Sequence, residues 1–369
     1  MNSKWTLWAA CVWFLVTAAP AHCAEDEAVD MARARELLQK RQRGEQLTDD
    51  ETAYLDRARR QRQQGGAKPG GEAGGKTSVG LTPLTELGEG KYKEQDGGLY
   101  GGGKNEPSED LQAAARKELA HIKPLDAEGK PAQDGKLVLV SISMSNATQE
   151  FSFFKDVADK DPDKSPLVTI VDCAQGGQAM AEWVPPEGRP WEEAARRLKA
   201  AGVTPQQVQV AWVKLANKSP RGELAEHVKK LQDDTEKVLN NAKTRFPNLR
   251  IAYLSSRIYG GYATSALNPE PYAYEGAFAV RGLLQAQLKA KPELNWDAAK
   301  GAVKAPLLLW GPYLWGDGVT ARKSDGLVWT RDDLAADGTH PSQSGRQKVS
   351  DLLLKFLKTD ALAKTWFIK

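Results

Sequence analysis

Residues 136–146 read KLVLVSISMSN, an uninterrupted apolar run of strand length that ends in polar residues. Continuous rather than alternating apolarity is typical of a parallel strand that is buried on both faces of its sheet. Further runs of this kind follow along the chain: LVTIVD at 167–172, VQVAWV at 208–213, LRIAYL at 249–254 and APLLLW at 305–310. The pattern predicts a five-stranded parallel sheet.

Segments of helical length alternate with these runs. The clearest spans residues 221–246, where apolar side chains recur on one stripe; others lie at 191–201, 272–288 and 347–357. Alternating strands and helices predict an α/β fold, a three-layer α/β/α sandwich. Ligands of such folds bind beyond the carboxyl ends of the strands, so the residues after each run are the candidates for chemistry.

The composition excludes several classes of function. The chain of 369 residues carries 51 basic and 48 acidic side chains, a formal charge of +3, which does not favour nucleic acid or an anionic membrane as the main partner. Its cysteines are Cys11, Cys23 and Cys173, so neither a disulfide framework nor a cysteine-based metal site is available. We therefore expect no metal and no cofactor.

The N-terminus has the pattern of an export signal. Lys4 precedes an apolar run that ends near Ala19 and is followed by small and then acidic residues. The run is shorter than the roughly 20 apolar residues that cross a bilayer, which favours a cleaved signal at residues 1–24 and an exported protein, periplasmic, secreted or at the cell surface. An uncleaved anchor and a lipid attached to Cys23 remain alternatives.

Three further segments precede the predicted sheet. Residues 25–64 are polar and helix-favouring, with a capping box at Thr48–Glu51, and residues 65–76 form a glycine-rich linker. Residues 77–135 are a glycine-rich segment that wraps over the domain and leads into it, and the domain itself occupies residues 136–369. Within the wrapping segment, residues 98–104 imitate a phosphate-binding loop, but Asn105 stands where such a loop needs serine or threonine.

Serine, glycine and asparagine follow the first three runs. Ser145 follows the first run, where a nucleophile would stand on a strand-to-helix turn, although serine there also caps helices. Gly176 and Gly177 follow the second run and either let a backbone amide approach an oxyanion or form an ordinary turn. The side-chain amide of Asn217, after the third run, either donates to the same oxyanion or caps a turn.

The histidine candidates reduce to one by elimination. Of the four histidines, His22 lies in the export segment, His121 precedes the sheet, and His227 borders the buried stripe of a long helix. His340 stands in the loop DGTHPS, three residues after Asp337. In such a loop a carboxylate can hold one imidazole nitrogen while the other nitrogen faces a serine. The alternative is an ordinary surface loop before a helix.

These positions together resemble the SGNH or GDSL family of esterases and lipases. That family has a serine after the first strand, glycine after the second, asparagine after the third and an Asp-x-x-His-Pro motif before the last helix. The resemblance covers about residues 136–358. It implies an SGNH hydrolase or flavodoxin-like sheet, with Ser145 as the nucleophile and with Asp337 and His340 as its partners in a catalytic triad.

The resemblance also implies an oxyanion hole built from Gly176 or Gly177 together with Asn217. Two blocks depart from the family pattern. Its Gly-Asp-Ser is Ser-Met-Ser at residues 143–145, and Asn217 lacks the usual Gly-x-Asn-Asp setting. These departures bear more on the assignment of the oxyanion donors than on the assignment of the triad residues.

Aromatic side chains and one arginine cluster in the loops after the last two runs. Tyr259, Trp310 and Trp315 are therefore candidate substrate contacts, since aromatic faces suit sugars, and Arg257 is a candidate to bind a substrate carboxylate or hydroxyl. The aromatic residues fit burial beneath the loops equally well, and Arg257 has Asp317 and Glu275 as alternative partners.

The sequence therefore predicts an exported serine esterase that removes an ester group, an acetyl group by preference, from a small molecule or an acetylated glycan. The alternatives are a catalytically silent glycan-binding protein with the same scaffold and a surface scaffold protein that docks a partner through residues 25–64. The sequence does not indicate the oligomeric state.

Overall fold

The computed structural model describes residues 77–369 and, from the N-terminal part, Asp30, Arg33, Leu37, Lys40, Thr48 and residues 50–55. The chain divides into two compact units, Met1–Gly71 and Glu72–Lys369. The predicted export signal at 1–24 and the linker at 65–76 lie outside the described residues. Within the described ranges, no helix combines the length and apolarity that crossing a membrane requires.

The first unit contains the predicted capping box. The backbone amide of Thr48 donates to Glu51 Oε2 at 2.9 Å, and the amide of Glu51 donates to Thr48 Oγ1 at 3.2 Å. Lys40 Nζ also contacts Glu51 Oε1 at 2.8 Å. The two reciprocal bonds satisfy amides that a helix start otherwise leaves without partners.

The second unit is built on the predicted parallel sheet. An antiparallel hairpin, β1 (Lys91–Tyr92) and β2 (Gln95–Asp96), comes first, and the sheet strands are β3 (Leu137–Ser143), β4 (Val168–Val171), β5 (Val208–Lys214), β6 (Ile251–Leu254) and β7 (Leu307–Trp310). Their spatial order is β4-β3-β5-β6-β7, all parallel. This is the flavodoxin-like order, in which the chain direction across the sheet reverses next to β3. The predicted fold class is confirmed.

Helices separate the strands. They are α1 (Glu109–Leu119), α2 (Ser145–Ala158), α3 (Met180–Trp183), α4 (Arg189–Ala200), α5 (Leu224–Arg245), α6 (Tyr272–Leu288), α7 (Gln343–Thr359) and α8 (Lys364–Phe367). Helix α2 packs on α7, and α5 packs on α6. Every residue of β3 and β5 is buried, so both faces of the sheet are covered.

A segment that we call the strap, residues 77–104, lies along α6 and against the end of β7. The indole Nε1 of Trp310 donates to the carbonyl of Leu99 at 2.6 Å, and Arg281 Nη1 donates to the carbonyl of Asp96 at 2.6 Å. The carboxylate of Asp317 accepts from the amides of residues 79 and 80 at 2.7 and 3.0 Å. These bonds tie an irregular segment to the regular core.

Candidate active site

Ser145 is the first residue of α2 and follows β3 after a single extended residue, Met144. The strand places the serine at the carboxyl edge of the sheet, and the helix start places it beside amides that have no partner within the helix. Its Oγ lies 2.7 Å from Nε2 of His340. The side chain of Ser145 thus meets the imidazole that the sequence predicts, across 195 positions of the chain.

Asp337 holds the other side of the His340 ring. Its Oδ2 lies 2.5 Å from Nδ1 of His340, and its Oδ1 accepts from the amides of Thr339 and His340 at 3.0 Å each. Burial raises the pKa of Asp337, but these hydrogen bonds outweigh burial and hold the pKa below its ordinary value. An ionised carboxylate at this position favours the imidazole tautomer that carries its proton on Nδ1.

The loop that carries Asp337 and His340 is held tightly. Gly338 has a φ of +62°, and a Cβ at this position would lie 1.7 Å from the carbonyl oxygen of Tyr262. Only glycine fits there, because a side chain meets both an unfavourable backbone region and a backbone atom that cannot yield. The amide of Thr264, from the same segment as Tyr262, donates to the carbonyl of Asp337 at 3.0 Å and also holds the loop.

Asn146 is a site residue that the sequence reasoning missed. It is buried, and its Nδ2 donates to the carbonyl of Thr339 at 2.5 Å. This bond joins the start of α2 to the histidine loop. It therefore helps to keep the side chains of Ser145 and His340 within hydrogen-bond distance of each other. Its position next to Ser145 was the only sequence signal, and asparagine at a helix start has several ordinary roles.

A pocket of about 210 Å³ opens beside Ser145 and His340. Gly177 and Asn217, two of the predicted oxyanion donors, line it, whereas Gly176 is not part of its lining. Gly177 has a φ of +78°, and its carbonyl accepts from Lys218 Nζ at 2.9 Å. The structure therefore brings Gly177 and Asn217 to the same pocket as the serine, and their donor role stays a prediction.

The aromatic candidates lie elsewhere. Tyr259, Trp310 and Trp315 are all nearly inaccessible, and none of them lines the pocket. The Trp315 indole donates to Glu270 Oε1 at 2.7 Å, Trp310 binds the strap, and the Tyr259 ring packs edge-to-face on Trp315. The alternative of burial beneath the loops is the correct one, because each ring fills the core.

Arg257 does line the pocket, and neither of its expected carboxylate partners contacts it. Asp317 accepts from the strap amides, and Glu275 is engaged by His227 and by Tyr92, whose hydroxyl lies 2.6 Å away. Pairing of Arg257 with Asp317 or Glu275 is therefore wrong.

A buried ion pair joins β5 to α2, the helix that begins at Ser145. Lys214, the last residue of β5, is fully buried and pairs with Glu150 of α2, which is equally buried. Burial lowers the pKa of Lys214 to about 8, against the opposing effect of Glu150.

No cluster of three or more histidine, cysteine, aspartate or glutamate side chains that could hold a metal occurs in the part of the chain that the structure describes. The candidate site contains a hydroxyl, an imidazole and a carboxylate in one hydrogen-bonded series at the edge of the sheet.

Comparisons with known proteins find similarity only among solved structures. No protein-family model matches the chain, and no curated protein matches it. A candidate SGNH hydrolase from Slackia heliotrinireducens is 15% identical, and the match covers 60% of this chain and 100% of that one with a TM-score of 0.32. A candidate acylhydrolase from Bacteroides fragilis is 14% identical, with coverages of 71% and 100% and a TM-score of 0.34.

An extracellular lipase from Streptomyces rimosus is 10% identical over 60% of this chain and 99% of the lipase, with a TM-score of 0.31. The chain has a divergent SGNH-like α/β fold, which rests on its own strand order and on the positions of Ser145 after β3 and of the Asp337–His340 loop before α7.

Proposed function

We propose that this protein is a serine hydrolase that cleaves ester bonds, with Ser145 as the nucleophile, His340 as the general base and Asp337 as the residue that orients the imidazole. The observation that carries the proposal is the hydrogen-bonded series Ser145–His340–Asp337, with distances of 2.7 and 2.5 Å, at the wall of a pocket. Hydrogen bonds of this length between nucleophile, base and orienting carboxylate are the signature of nucleophilic acyl transfer.

The reaction would proceed in two steps. As Ser145 Oγ bonds to the ester carbonyl carbon, its proton passes to His340 Nε2, and the carbonyl oxygen becomes an oxyanion. Donors for that oxygen would be the free amides at the start of α2, the amide of Gly177 and the side chain of Asn217, each worth about 10²–10³ in rate. The carbon–oxygen bond to the alcohol then breaks, and the alcohol takes the proton from His340. Water repeats the sequence and releases the acid.

An acetyl group is the acyl group that we favour. Met144, Ala179 and Ala216 form a small apolar cluster, and all three line the pocket beside Ser145. At about 210 Å³ the pocket is smaller than the roughly 300–1,000 Å³ of sites for drug-sized ligands. A short acyl chain suits such a space better than a long lipid chain. We further propose that the protein is exported through residues 1–24 and that an acetylated glycan is among its substrates.

Fluorophosphonate labelling with mass mapping of the modified residue tests the proposal. We expect the wild-type protein to be labelled at Ser145 and the Ser145→Ala variant to be folded, unlabelled and inactive on small acetyl esters. Ser152→Ala is the matched control, since Ser152 lies on the same helix, is exposed and donates only to the carbonyl of Thr148. Full ester hydrolysis by Ser145→Ala, or labelling of another serine, would show that the proposal is wrong.

A further inference from the structure

Arg257 is a charged side chain that forms no ion pair with any residue that the structure describes. It follows β6, is 3% exposed, and lines the pocket that Ser145 and His340 also line. Its Nε is buried and has no hydrogen-bond partner. Among the described residues, the guanidinium makes one polar contact, from Nη1 to the thioether sulfur of Met144 at 4.0 Å. A thioether is a weak acceptor and carries no charge.

The carboxylates whose charge reaches Arg257 are Glu150, Glu270 and Asp337, and each is engaged by other groups. Glu150 pairs with Lys214 through Oε2, and its Oε1 is buried without a hydrogen-bond partner among the described residues. A single buried carboxylate therefore faces two buried cations, Lys214 and Arg257, and forms a direct pair with Lys214 alone. Asp337 is held by His340.

Glu270 accepts from the amides of Gly260 and Tyr274 at 2.8 and 3.0 Å and from the indole of Trp315. None of these carboxylates forms a hydrogen bond or an ion pair with Arg257. A buried guanidinium left in this state is costly, because arginine does not give up its proton and the surrounding protein does not replace its hydration.

The rest of the pocket lining also suits a negatively charged ligand. No aspartate or glutamate lines it, and its polar side chains beyond Ser145, His340 and Arg257 are mainly amides that can donate, from Asn146, Gln178, Asn217 and Asn268. The other cation in the lining, Lys218, is exposed and is neutralised by Glu182 at 2.7 Å. Arg257 is thus a cation of the lining that has no ion-pair partner among the described residues.

We propose that Arg257 binds a carboxylate on the alcohol part of the substrate, so that the enzyme prefers acetyl esters of hydroxy acids, including acidic sugars, over neutral esters. This specificity rests on the proposed hydrolase function. The planar guanidinium fork matches a carboxylate, and a desolvated pair of this kind is stronger than one in water. The substrate carboxylate would be the counter-ion of Arg257, since no carboxylate of the described residues pairs with it.

The test compares two small esters of similar shape, O-acetyl-lactate with a carboxylate and O-acetyl-lactamide with a neutral amide in its place. We expect wild-type kcat/KM to be about 10- to 100-fold higher for the carboxylate ester, since hydrogen bonds to charged groups are worth that much. In Arg257→Gln the ratio should fall towards one, with the change mainly in KM, and Arg257→Lys should keep part of it. Arg281→Gln is the matched control: Arg281 is equally buried but is bonded to the strap, so its loss should leave the ratio unchanged.

A binding measurement separates the two proposals. Calorimetric titration of the Ser145→Ala variant with the same two esters reports recognition without turnover, and we expect binding of the carboxylate ester alone. Equal hydrolysis of both esters by the wild-type protein would overturn the proposed specificity and leave the proposed hydrolase function standing. An Arg257→Gln variant that keeps the wild-type ratio of kcat/KM values would do the same. Absence of hydrolysis and of labelling at Ser145, together with selective binding of the carboxylate ester, would overturn the hydrolase and keep the anion site.

Discussion

At the scale of single residues, Asp337 has the most demanding role in the proposed mechanism. It accepts hydrogen bonds through both oxygens, two from backbone amides and one from the His340 ring. An Asp337→Asn variant keeps the shape of the side chain but presents an amide to the imidazole, which favours the wrong tautomer. We expect kcat for a small acetyl ester to fall by about 10⁴-fold. Steady-state kinetics with thermal melting as the check on folding measures this, and a loss below tenfold would contradict the role.

At the scale of elements, the strap depends on donors from β7. Trp310 gives its indole N–H to the carbonyl of Leu99 in a buried position. Trp310→Phe leaves that carbonyl without a donor, which costs about 1–3 kcal/mol. We expect faster hydrogen exchange in residues 97–104 and little change in β3 and β5. Trp296→Phe serves as the control, because the half-buried Trp296 indole has no protein acceptor among the described residues. Equal exchange in the two variants would contradict the strap's dependence on Trp310.

At the scale of the whole molecule, the pKa shifts predict acid sensitivity. Carboxyl groups of the second unit whose pKa lies below the ordinary value are Asp161, Glu193, Glu275, Asp325, Asp333 and Asp337. In each of them burial alone would raise the pKa, and hydrogen bonds such as that from Lys348 to Asp333 outweigh it. Asp172 and Glu270, whose pKa burial raises, act in the opposite direction but are fewer.

Whether stability rises or falls with pH depends on whether the folded or the unfolded protein takes up protons first as the pH is lowered. Unfolded carboxylates take up protons near their ordinary pKa of about 3.9–4.3, whereas the folded groups remain ionised to lower pH. Stability is therefore fully present above about pH 5 and is lost as the pH falls through the lowered pKa values. We expect the Tm to be steady between pH 7 and 5 and to fall steeply at pH 4 and 3. A Tm that does not change between pH 5 and 3 would show that these ion pairs do not stabilise the fold.

The sheet and much of the candidate site could be predicted from the sequence for local reasons. A buried parallel strand needs an unbroken apolar run, and such runs appear at all the strands from β3 to β7. His340 stands out because its loop contains a carboxylate at the right spacing and because His121 and His227 have other surroundings. The structure brings Ser145 and Asp337 into contact with it, while their catalytic role stays a proposal.

Other parts of the site depend on pairs that are distant in sequence. The side chains of Lys214 and Glu150 are 64 positions apart, and no local pattern shows that they neutralise each other in the core. The same holds for Arg257, because its lack of a carboxylate partner depends on what Asp317 and Glu275 bind instead.

The sequence by itself determined the order of the strands along the chain, the alternation with helices and the short list of polar residues at the carboxyl edge. These follow from hydrophobic periodicity and from residue chemistry within a few positions. Only the tertiary structure decided that Tyr259, Trp310 and Trp315 fill the core, that Asn146 ties α2 to the histidine loop, and that Arg257 enters the pocket. The physical reason is that burial and charge compensation are properties of side chains brought together by the fold, and a single sequence does not specify those neighbours.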